Sequence, residues 1–455
     1  MISNRNKIQV DVIITNGQIL TINSKMDVIE NGVVVVKDNK IIDIGNDDLI
    51  SKYDATKIID ANNGIVMPGM INCHCHLPMV AFRGLGEEGI DDRLMGYFMP
   101  LEKEMLNRKL IYDATIHGAI DMALSGVTTY ADMYYHVDEM AKATKQIGLR
   151  AVLGQTIIGF PVVDAAIPYY GLEYAKNILD QFENDELVSL SLAPHAPYSV
   201  SKDMLLNVKK IADENHLLIH IHAAEFEDEK NQIKDNHEGL SVVKYLDKIG
   251  FLDSNVILAH CNYVDDDDFK IIESRKTRIA HNPMANAKGA TGTAKIIEAM
   301  NYNIPIGIGT DGPMGSNVVD LFKVMTYTST IQRIRKMDET LMTPDIVVKM
   351  ATLGGAEALG MDDKIGSLEI GKSADIIVVE TESMNMIPNY NPYATLVFQA
   401  NPHNVVTTIV NGKIIVENRM LQTYSLDSNL KEMKHWINQI KPFGDELAKK
   451  VKMKL

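Results

Sequence analysis

Two histidines stand one residue apart at the end of a short apolar segment, residues 68–77, which reads P-G-M-I-N-C-H-C-H-L. The segment has the composition of a β-strand, and side chains at i and i+2 of a strand point to the same side. His74 and His76 therefore aim two imidazoles at one point, which is half of a metal site. Two solvated histidines in a loop would give the same letters, so the pair needs further ligands before it indicates a metal.

Further candidate ligands follow later apolar segments. His222 ends L-L-I-H-I-H and is followed by Glu225 in the spacing H-x-x-E. His260 ends V-I-L-A-H, and Asp311 lies in G-T-D-G after another apolar run. A single histidine at a strand end is more often structural than a ligand. Together with the first pair, however, His222 and Asp311 make up three histidines and one carboxylate, a donor set that suits zinc or ferrous iron and leaves room for water.

The elements that must position these residues alternate along the chain. From Ile71 to about Gly309, short apolar strands alternate with amphipathic helices, a pattern typical of parallel strands joined by crossovers. Eight candidate strands end near residues 74, 132, 155, 195, 222, 260, 281 and 310. Eight strand–helix units in about 250 residues predict a (β/α)8 TIM barrel, whose catalytic residues lie at the C-terminal ends of its strands. A doubly wound open sheet is the alternative, but it would gather its site at one switch point.

Segments rich in β-forming residues flank this α/β region on both sides. Before residue 67 they are separated by turn pairs such as Asn16-Gly17, and after the barrel they return with a hairpin signal at Asn411-Gly412. We therefore predict one β unit built from both chain ends. The predicted division is 1–67 and 365–422 for the two parts of that unit, 68–364 for the metal-dependent barrel and 423–455 for a C-terminal helical tail.

Composition limits the classes of partner. The 455 residues are 46% hydrophobic and 23% charged, as in an ordinary globular enzyme. A formal net charge of −15 disfavours nucleic acid, because an acidic field repels polyanions. We find no signal-peptide core and no apolar stretch long enough to span a membrane, and three cysteines are too few for a disulfide framework. We expect a cytoplasmic homo-oligomer that acts on a small molecule.

The motifs taken together resemble the amidohydrolase superfamily. They are H-x-H after the first strand, H-x-x-E, A-H-C, H-N-P-M-A-N and G-T-D-G, followed by S-A-D-I-I-V-V. More narrowly, the sequence is similar to the branch of 5-methylthioadenosine/S-adenosylhomocysteine deaminases, triazine hydrolases and guanine deaminases. The resemblance covers residues from about 11 to about 412 and implies a TIM barrel beside a β-sandwich built from both chain ends.

The resemblance also implies the cofactor. One divalent ion, zinc or alternatively ferrous iron, is expected on the residues that match the family ligands, which are His74, His76, His222 and Asp311. Two-metal relatives carry a bridging lysine carbamate, but the fourth strand end here reads S-L-A-P-H-A-P and has no lysine. We therefore expect one metal ion rather than two.

The residue types fit hydrolytic deamination of an aminated heterocycle. A divalent ion lowers the pKa of a bound water toward about 7. We expect Asp311 to take a proton from that water, and Glu225 to protonate a ring nitrogen and then carry a proton to the leaving amine. His260 is expected to hydrogen-bond the attacking water or the developing oxyanion, and a fourth nitrogen ligand is its alternative role.

Four further residues are predicted to contact the substrate. His195, in A-P-H-A-P-Y, and Glu102, in P-L-E, match family positions that touch the substrate and the ribose hydroxyls, although a structural histidine and a solvated glutamate would look the same. Arg93 stands where the family often has a tryptophan, and Gln155 where some members have an arginine. Recognition of a carboxylate normally uses a bidentate guanidinium, so this departure favours a neutral nucleoside or a bare heterocycle over S-adenosylhomocysteine.

The resulting hypothesis is a metal-dependent deaminase of an adenosine-type nucleoside. The alternatives are a guanine-, pterin- or cytosine-type deaminase, and a triazine-type chlorohydrolase or amidase. A non-catalytic scaffold on the same fold is a distant alternative, because a scaffold has no need to retain the candidate ligands together with Glu225 and His260.

Overall fold

The chain enters the fold through β-strands joined by tight turns. The computed structural model describes residues 7–87, 89–90 and 92–451. Asp38 and Asn39 both have positive φ in the turn that joins two of these strands as a hairpin, a conformation that Asn and Asp tolerate well. The N-terminal strands are β1 Ile8–Leu20, β2 Val28–Lys37, β3 Lys40–Asn46, β4 Tyr53–Asp60 and β5 Ile65–Pro68.

Eight parallel strands then form the barrel. They are β6 Met70–Cys75, β7 Val127–Tyr134, β8 Arg150–Ile157, β9 Val188–Pro194, β10 Leu218–Ala223, β11 Val256–His260, β12 Arg278–His281 and β13 Ile306–Ile308. Each strand pairs with the next in chain order. The first and last strands meet where the Asp311 N–H donates to the His74 carbonyl at 2.9 Å. The TIM-barrel prediction is confirmed, and this closing bond brings the ends of strands one and eight together.

Helices follow the strands and pack around the barrel. Their bounds are α1 Met99–Met105, α2 Arg108–Leu124, α3 Val137–Ile147, α4 Tyr170–Ile178, α5 Lys202–Glu214, α6 Glu227–Asn236, α7 Val242–Lys248, α8 Asp266–Ser274, α9 Pro283–Gly289, α10 Ile296–Met300, α11 Leu321–Lys336, α12 Pro344–Met350 and α13 Leu353–Leu359. A π-helical turn, Arg93–Phe98, leads directly into α1. In the described part of the chain, no helix is both long and apolar enough to cross a membrane.

The C-terminal strands return to the N-terminal sheet, as predicted. They are β14 Ile376–Val379, β15 Val405–Val410, β16 Lys413–Glu417 and β17 Met420–Leu421, with α14 Pro392–Phe398 inserted and α15 Leu426–Lys450 after them. The nine-stranded mixed sheet runs β17-β16-β15-β14-β5-β1-β2-β3, and β4 pairs with β1. Strand β5 therefore joins the two chain ends, and it leads into the first barrel strand two residues later.

Two buried contacts connect the barrel to the terminal segments. The Arg150 guanidinium, at the start of β8, donates to both carboxylate oxygens of Asp375 at 3.1 and 3.2 Å. On the other side, the Trp436 indole of α15 donates to the Asp113 carboxylate of α2 at 2.7 Å. The tail is thus a packed helix. The predicted domain boundaries stay a prediction, and residues 1–6 and 452–455 of the outermost segments lie outside the described residues.

Candidate metal centre and active site

Three imidazoles and one carboxylate converge at the C-terminal mouth of the barrel. His74 lies in β6, His76 just after it, His222 in β10, and Asp311 three residues after β13. Asp311 Oδ1 lies 3.5 Å from His74 Nε2 and 3.3 Å from His76 Nε2. His222 Nε2 lies 3.3 Å from His76 Nε2. The four predicted ligands, drawn from three separate strands, are therefore neighbours.

Backbone carbonyls orient two of these rings. The Nδ1 atom of His76 lies 2.6 Å from the Met133 carbonyl oxygen, and Nδ1 of His222 lies 2.9 Å from the carbonyl oxygen of His195. Because a carbonyl only accepts, both Nδ1 atoms must carry a hydrogen. When such a ring is neutral, the lone pair is on Nε2, which is the nitrogen that faces the cluster.

The third ring is held by another histidine. His74 Nδ1 lies 3.0 Å from Nε2 of His220, so its own Nε2 is left facing Asp311. That Nε2 is buried and makes no hydrogen bond within the described residues. An unpaired buried nitrogen beside a carboxylate and further imidazole nitrogens fits a divalent metal ion, which would give this nitrogen a partner.

The electrostatics favour the ligand forms of His74, His222 and Asp311, whereas His76 must lose a proton to bind a metal ion. Burial lowers the pKa of His74 to about 3 and takes the pKa of His222 well below its ordinary value. Burial raises the pKa of Asp311, but the proximity of His74 and His76 holds it well below its usual range. Burial lowers the pKa of His76, yet Asp311 raises it to about 9, so a cation entering this pair displaces a proton.

The backbone is strained where the site residues leave their strands. Ala224, His260 and Asp311 have φ values of 53°, 76° and 58°. The left-handed region is rarely occupied by residues other than glycine, and such positions concentrate at functional sites. At these three positions, at or just beyond the ends of β10, β11 and β13, the backbone changes direction at the mouth of the barrel.

Glu225 lies beside the cluster without belonging to the histidine set. Its Oε2 is 3.6 Å from Nε2 of His260, and its backbone N–H donates to Glu229 Oε2 at 2.8 Å. Burial raises the pKa of Glu225 well above its ordinary value, and the charges of Asp311 and Glu229 raise it further. The shift favours the protonated form of this carboxyl group, which can give its proton to a bound molecule.

His260 faces both carboxyl groups. One oxygen each of Glu225 and Asp311 and a ring nitrogen of His260 all lie within 4.8 Å of one another. Burial lowers the pKa of His260, so the buried ring is neutral near pH 7 despite the opposing charge of Asp311. The same ring also groups with His74 and His222 at that spacing, which keeps open its alternative role as a fourth nitrogen ligand.

The cluster opens into a cavity of about 450 Å³, within the usual size range of small-molecule sites. Most of its wall is apolar or aromatic, which suits a flat heterocycle. The residues of that wall include Met79, Ile90, Phe98, Met99, Tyr134, Tyr135, Tyr198, Phe226 and Met314.

A second carboxyl group lies in the same cavity wall. Glu102, on α1, is buried and accepts a hydrogen bond from the Tyr134 hydroxyl at the end of β7. Burial raises the pKa of Glu102 to about 7, although the bond from Tyr134 and the charge of His76 oppose this shift. A carboxylate here is able to accept hydrogen bonds from hydroxyl groups of a bound molecule.

Comparison with known proteins matches residues 65–415 to the amidohydrolase family. The chain belongs to the amidohydrolase family. It is 31% identical over 434 residues to 5-methylthioadenosine/S-adenosylhomocysteine deaminase 1 of Syntrophus aciditrophicus, covering 95% of this chain and 98% of that relative. It is 36% identical over 417 residues to 5'-deoxyadenosine deaminase of Methanobrevibacter smithii, covering 90% of this chain and 94% of that relative.

A solved structure matches this amidohydrolase over nearly its whole length. It is an adenosine deaminase from Xanthomonas campestris with bound zinc, at a TM-score of 0.92 and 26% identity. The match covers 96% of this chain and all of that one, 100%. The resemblance read from the motifs is thereby confirmed at the level of the family.

Three of the four predicted substrate contacts line the cavity of this amidohydrolase: Arg93, Glu102 and His195. The Arg93 guanidinium lies 4.8 Å above the Phe98 ring and donates to the Met314 carbonyl at 3.3 Å. Burial lowers the pKa of His195 to about 4, so this ring is neutral near pH 7. Their roles toward a substrate stay predictions.

The fourth predicted contact, Gln155, lies behind the cavity wall. Its side chain is fully buried and donates to Asp164 Oδ2 at 2.8 Å, while the next residue, Thr156, lines the cavity. Neighbouring residues of a strand point to opposite sides, so a shift of one position exchanges a wall residue for one behind it. An alignment by motif does not resolve that single step.

The sequence reasoning missed two pairs of polar residues. Tyr134 and Tyr135 follow the predicted second strand end in D-M-Y-Y-H, and both line the cavity. Asn262 and Asn286 belong to the motif regions A-H-C-N and H-N-P-M-A-N, and both lie behind His260. Polar residues just after barrel strands were the available signal, since the site of such barrels lies there.

Proposed function

We propose that this amidohydrolase is a zinc-dependent deaminase of adenosine-type nucleosides. The observation that carries the proposal is the buried carboxyl group of Glu225, 3.6 Å from His260 Nε2 and beside a cluster that fits a divalent ion, in a cavity of about 450 Å³. The names of the relatives, two adenosine-type deaminases and a zinc-bound adenosine deaminase, support the same substrate class.

His74, His76, His222 and Asp311 would hold the ion, which is zinc or alternatively ferrous iron. When bound, the ion lowers the pKa of a water ligand toward about 7. Asp311, whose pKa is held low, is an anionic acceptor able to take a proton from the attacking water. Oxygen then adds to the ring carbon that carries the amino group.

Glu225 would supply and return protons during this addition. Its acidic proton goes to the ring nitrogen next to the attacked carbon, so that the bonding electrons moving onto that nitrogen do not leave it charged. The resulting carboxylate can then take the proton of the added hydroxyl group and pass it to the amino group, and the proton taken up by Asp311 restores the acid form of Glu225. When the carbon–nitrogen bond breaks, ammonia leaves and a ring carbonyl replaces the amine, which balances the addition of one water.

Glu102 would bind the ribose end of the substrate. Its buried carboxylate can accept hydrogen bonds from two neighbouring hydroxyl groups, with Tyr134 holding it in place. Arg93 is the one guanidinium group among the described residues that line the cavity, and it already bonds Glu87 and the carbonyl of Met314. We therefore propose neutral nucleosides, such as adenosine, 5'-deoxyadenosine and methylthioadenosine, in preference to S-adenosylhomocysteine.

Ammonia release from a substrate panel tests the proposal. The zinc-loaded chain would be assayed with these nucleosides, S-adenosylhomocysteine, guanine, cytosine, an aminopterin ring and an aminotriazine. We expect the highest kcat/KM for a neutral adenosine-type nucleoside, loss of turnover after chelation, and recovery on adding zinc. Failure to release ammonia from any of these compounds would reject the deaminase proposal. A higher kcat/KM for a bare base than for any nucleoside would identify that base as the substrate instead.

Several wider expectations remain predictions. They are a cytoplasmic location, a homo-oligomeric state and the absence of nucleic-acid or membrane partners. Light scattering of the purified chain measures the oligomeric state directly. A monomer at enzyme concentrations near those in the assay would contradict the homo-oligomer.

A further inference from the structure

A chain of side-chain amides links the backbone of Glu225 to the ring of His260. Asn262 stands two residues after His260, and Asn286 lies on α9; their relative exposures are 6% and 2%. Asn262 Nδ2 lies 3.0 Å from the Glu225 carbonyl oxygen, and Asn262 Oδ1 lies 2.7 Å from Nδ2 of Asn286. Asn286 Oδ1 in turn lies 2.8 Å from Nδ1 of His260.

The donor–acceptor direction of these hydrogen bonds follows from the first of them, at the Glu225 carbonyl. A backbone carbonyl only accepts, so the Asn262 atom that faces Glu225 must be the NH2 group, and its other atom is an oxygen. That oxygen accepts, so the Asn286 atom facing it must also be an NH2 group. The remaining Asn286 atom is then an oxygen, and the His260 nitrogen that faces it must carry a hydrogen.

Reversing the amides is costly in this buried position. A flipped Asn262 would set its oxygen against the Glu225 carbonyl oxygen, leaving two buried acceptors without a donor. Thr291 Oγ1 supports the same direction, since it lies 3.3 Å from Asn262 Nδ2 and 3.3 Å from Asn286 Oδ1, and can accept from the first and donate to the second.

We propose that Asn262 and Asn286 are positioning residues that fix the His260 ring in its Nδ1–H tautomer, so that Nε2 presents a lone pair to the reacting atoms. The proposal deepens the proposed function, on which it rests for the identity of those atoms. In this form Nε2 of His260 accepts a hydrogen bond and does not donate one, while Nδ1 donates to Asn286. Of the two roles predicted for it toward the reaction, it therefore holds the attacking water rather than a developing oxyanion.

The same nitrogen also faces Glu225. His260 Nε2 lies 3.6 Å from Glu225 Oε2, so the two groups are neighbours at the reacting atoms. Because the amide chain ends on the Glu225 carbonyl, the same two asparagines also fix the backbone that carries this carboxyl group. Acid and acceptor are thus positioned by one hydrogen-bonded unit.

The first test reads the tautomer directly. The zinc-loaded full chain would be labelled with ¹⁵N-histidine, and long-range ¹H–¹⁵N correlations would be recorded; comparison with H260Q assigns the His260 signals among the 13 histidines. We expect a protonated Nδ1 and an Nε2 without hydrogen. A protonated Nε2 with a bare Nδ1 would overturn the proposal. This spectrum needs no turnover, so it separates failure of this inference from failure of the deaminase proposal.

The second test uses matched asparagine variants. N286A should lower kcat by about 10–100-fold, the usual cost of removing a partner that orients a site histidine, while zinc content stays unchanged. N286D keeps an oxygen that accepts from Nδ1 but loses the NH2 group that donates to Asn262, so Nδ1 should stay protonated while kcat recovers only in part. N429A is the control, because Asn429 likewise accepts from a histidine Nδ1, that of His117, and donates to a backbone carbonyl, but on α15.

The outcomes separate positioning from general destabilisation. N429A should leave kcat unchanged even if its melting temperature falls. An unaltered kcat in N286A, or an equal loss in N286A and N429A, would overturn the proposal. If N286A does not fold, N286D and the wild-type spectrum still decide it, since N286D with a mixed tautomer and low kcat would contradict the role assigned to the Asn286 oxygen.

Discussion

Replacement of Glu225 by glutamine is the most direct test of the proton transfers. Glutamine has nearly the same shape and keeps one oxygen acceptor, but it has no acidic proton to give. Burial raises the pKa of Glu225 and favours its neutral form, and glutamine is neutral too, so E225Q adds no buried charge. The folded structure and its zinc site should therefore survive the change.

The size of the effect follows from the number of steps assigned to Glu225. A positioned general acid or base contributes about 10²–10⁴-fold to a rate. Glu225 is assigned both protonation of the ring and delivery of a proton to the amine, so we expect a loss in kcat near the upper limit, about 10³–10⁴-fold. That loss corresponds to about 4–5.5 kcal/mol of transition-state stabilisation.

The assay measures ammonia release together with zinc content. E225Q should hold as much zinc per chain as the wild type, with KM changed far less than kcat. E357Q is the control, because burial also raises the pKa of Glu357, which lies on α13 away from the described cavity. Wild-type turnover in E225Q would refute its role as acid and base, and loss of zinc would show instead that Glu225 is a ligand.

Three further changes test other parts of the structure. E102Q should lower kcat/KM for adenosine by about 10–100-fold, since a hydrogen bond to a charged group contributes about 1.5–3 kcal/mol. With 2',3'-dideoxyadenosine, which lacks the two hydroxyl groups, E102Q should match the wild type. An equal loss with both substrates would contradict ribose binding by Glu102. Burial raises the pKa of Glu229 from 4.5 to about 7, so the folded chain binds more protons than the unfolded chain between these two pH values. The free energy of unfolding should therefore fall, by on the order of 3 kcal/mol, as pH rises through this window. E229Q should flatten this decline in melting temperature, whereas an unchanged pH dependence would count against it. R150M leaves the Asp375 carboxylate buried without its counter-charge and should lower the free energy of urea unfolding by about 3–5 kcal/mol. K57M, at an exposed ion pair, should lower it by less than about 1 kcal/mol. Equal losses in the two variants would contradict the role of the buried pair in joining barrel and sheet.

Much of the barrel is predictable because its signals are local. An apolar run of four to eight residues that ends in a histidine or aspartate indicates a strand end wherever it stands, and the parallel order then follows from the alternation with helices. His74, His222 and Asp311 could be grouped in this way, because every barrel strand delivers its last side chains to one mouth. The structure brings their nitrogen and oxygen atoms within a few ångströms, as metal binding requires.

The sequence by itself determined the strand order, the candidate ligands and the presence of a glutamate three residues after the histidine of the fifth strand. The tertiary structure decided which neighbour faces the cavity, as with Thr156 rather than Gln155, and which distant residues meet, as with Asn286 and His260. The physical reason is the distance along the chain over which each feature is determined. Strand periodicity depends on residues near in the chain, whereas the hydrogen on a buried imidazole depends on whichever group the completed fold brings against it, and for His260 that group stands 26 residues away.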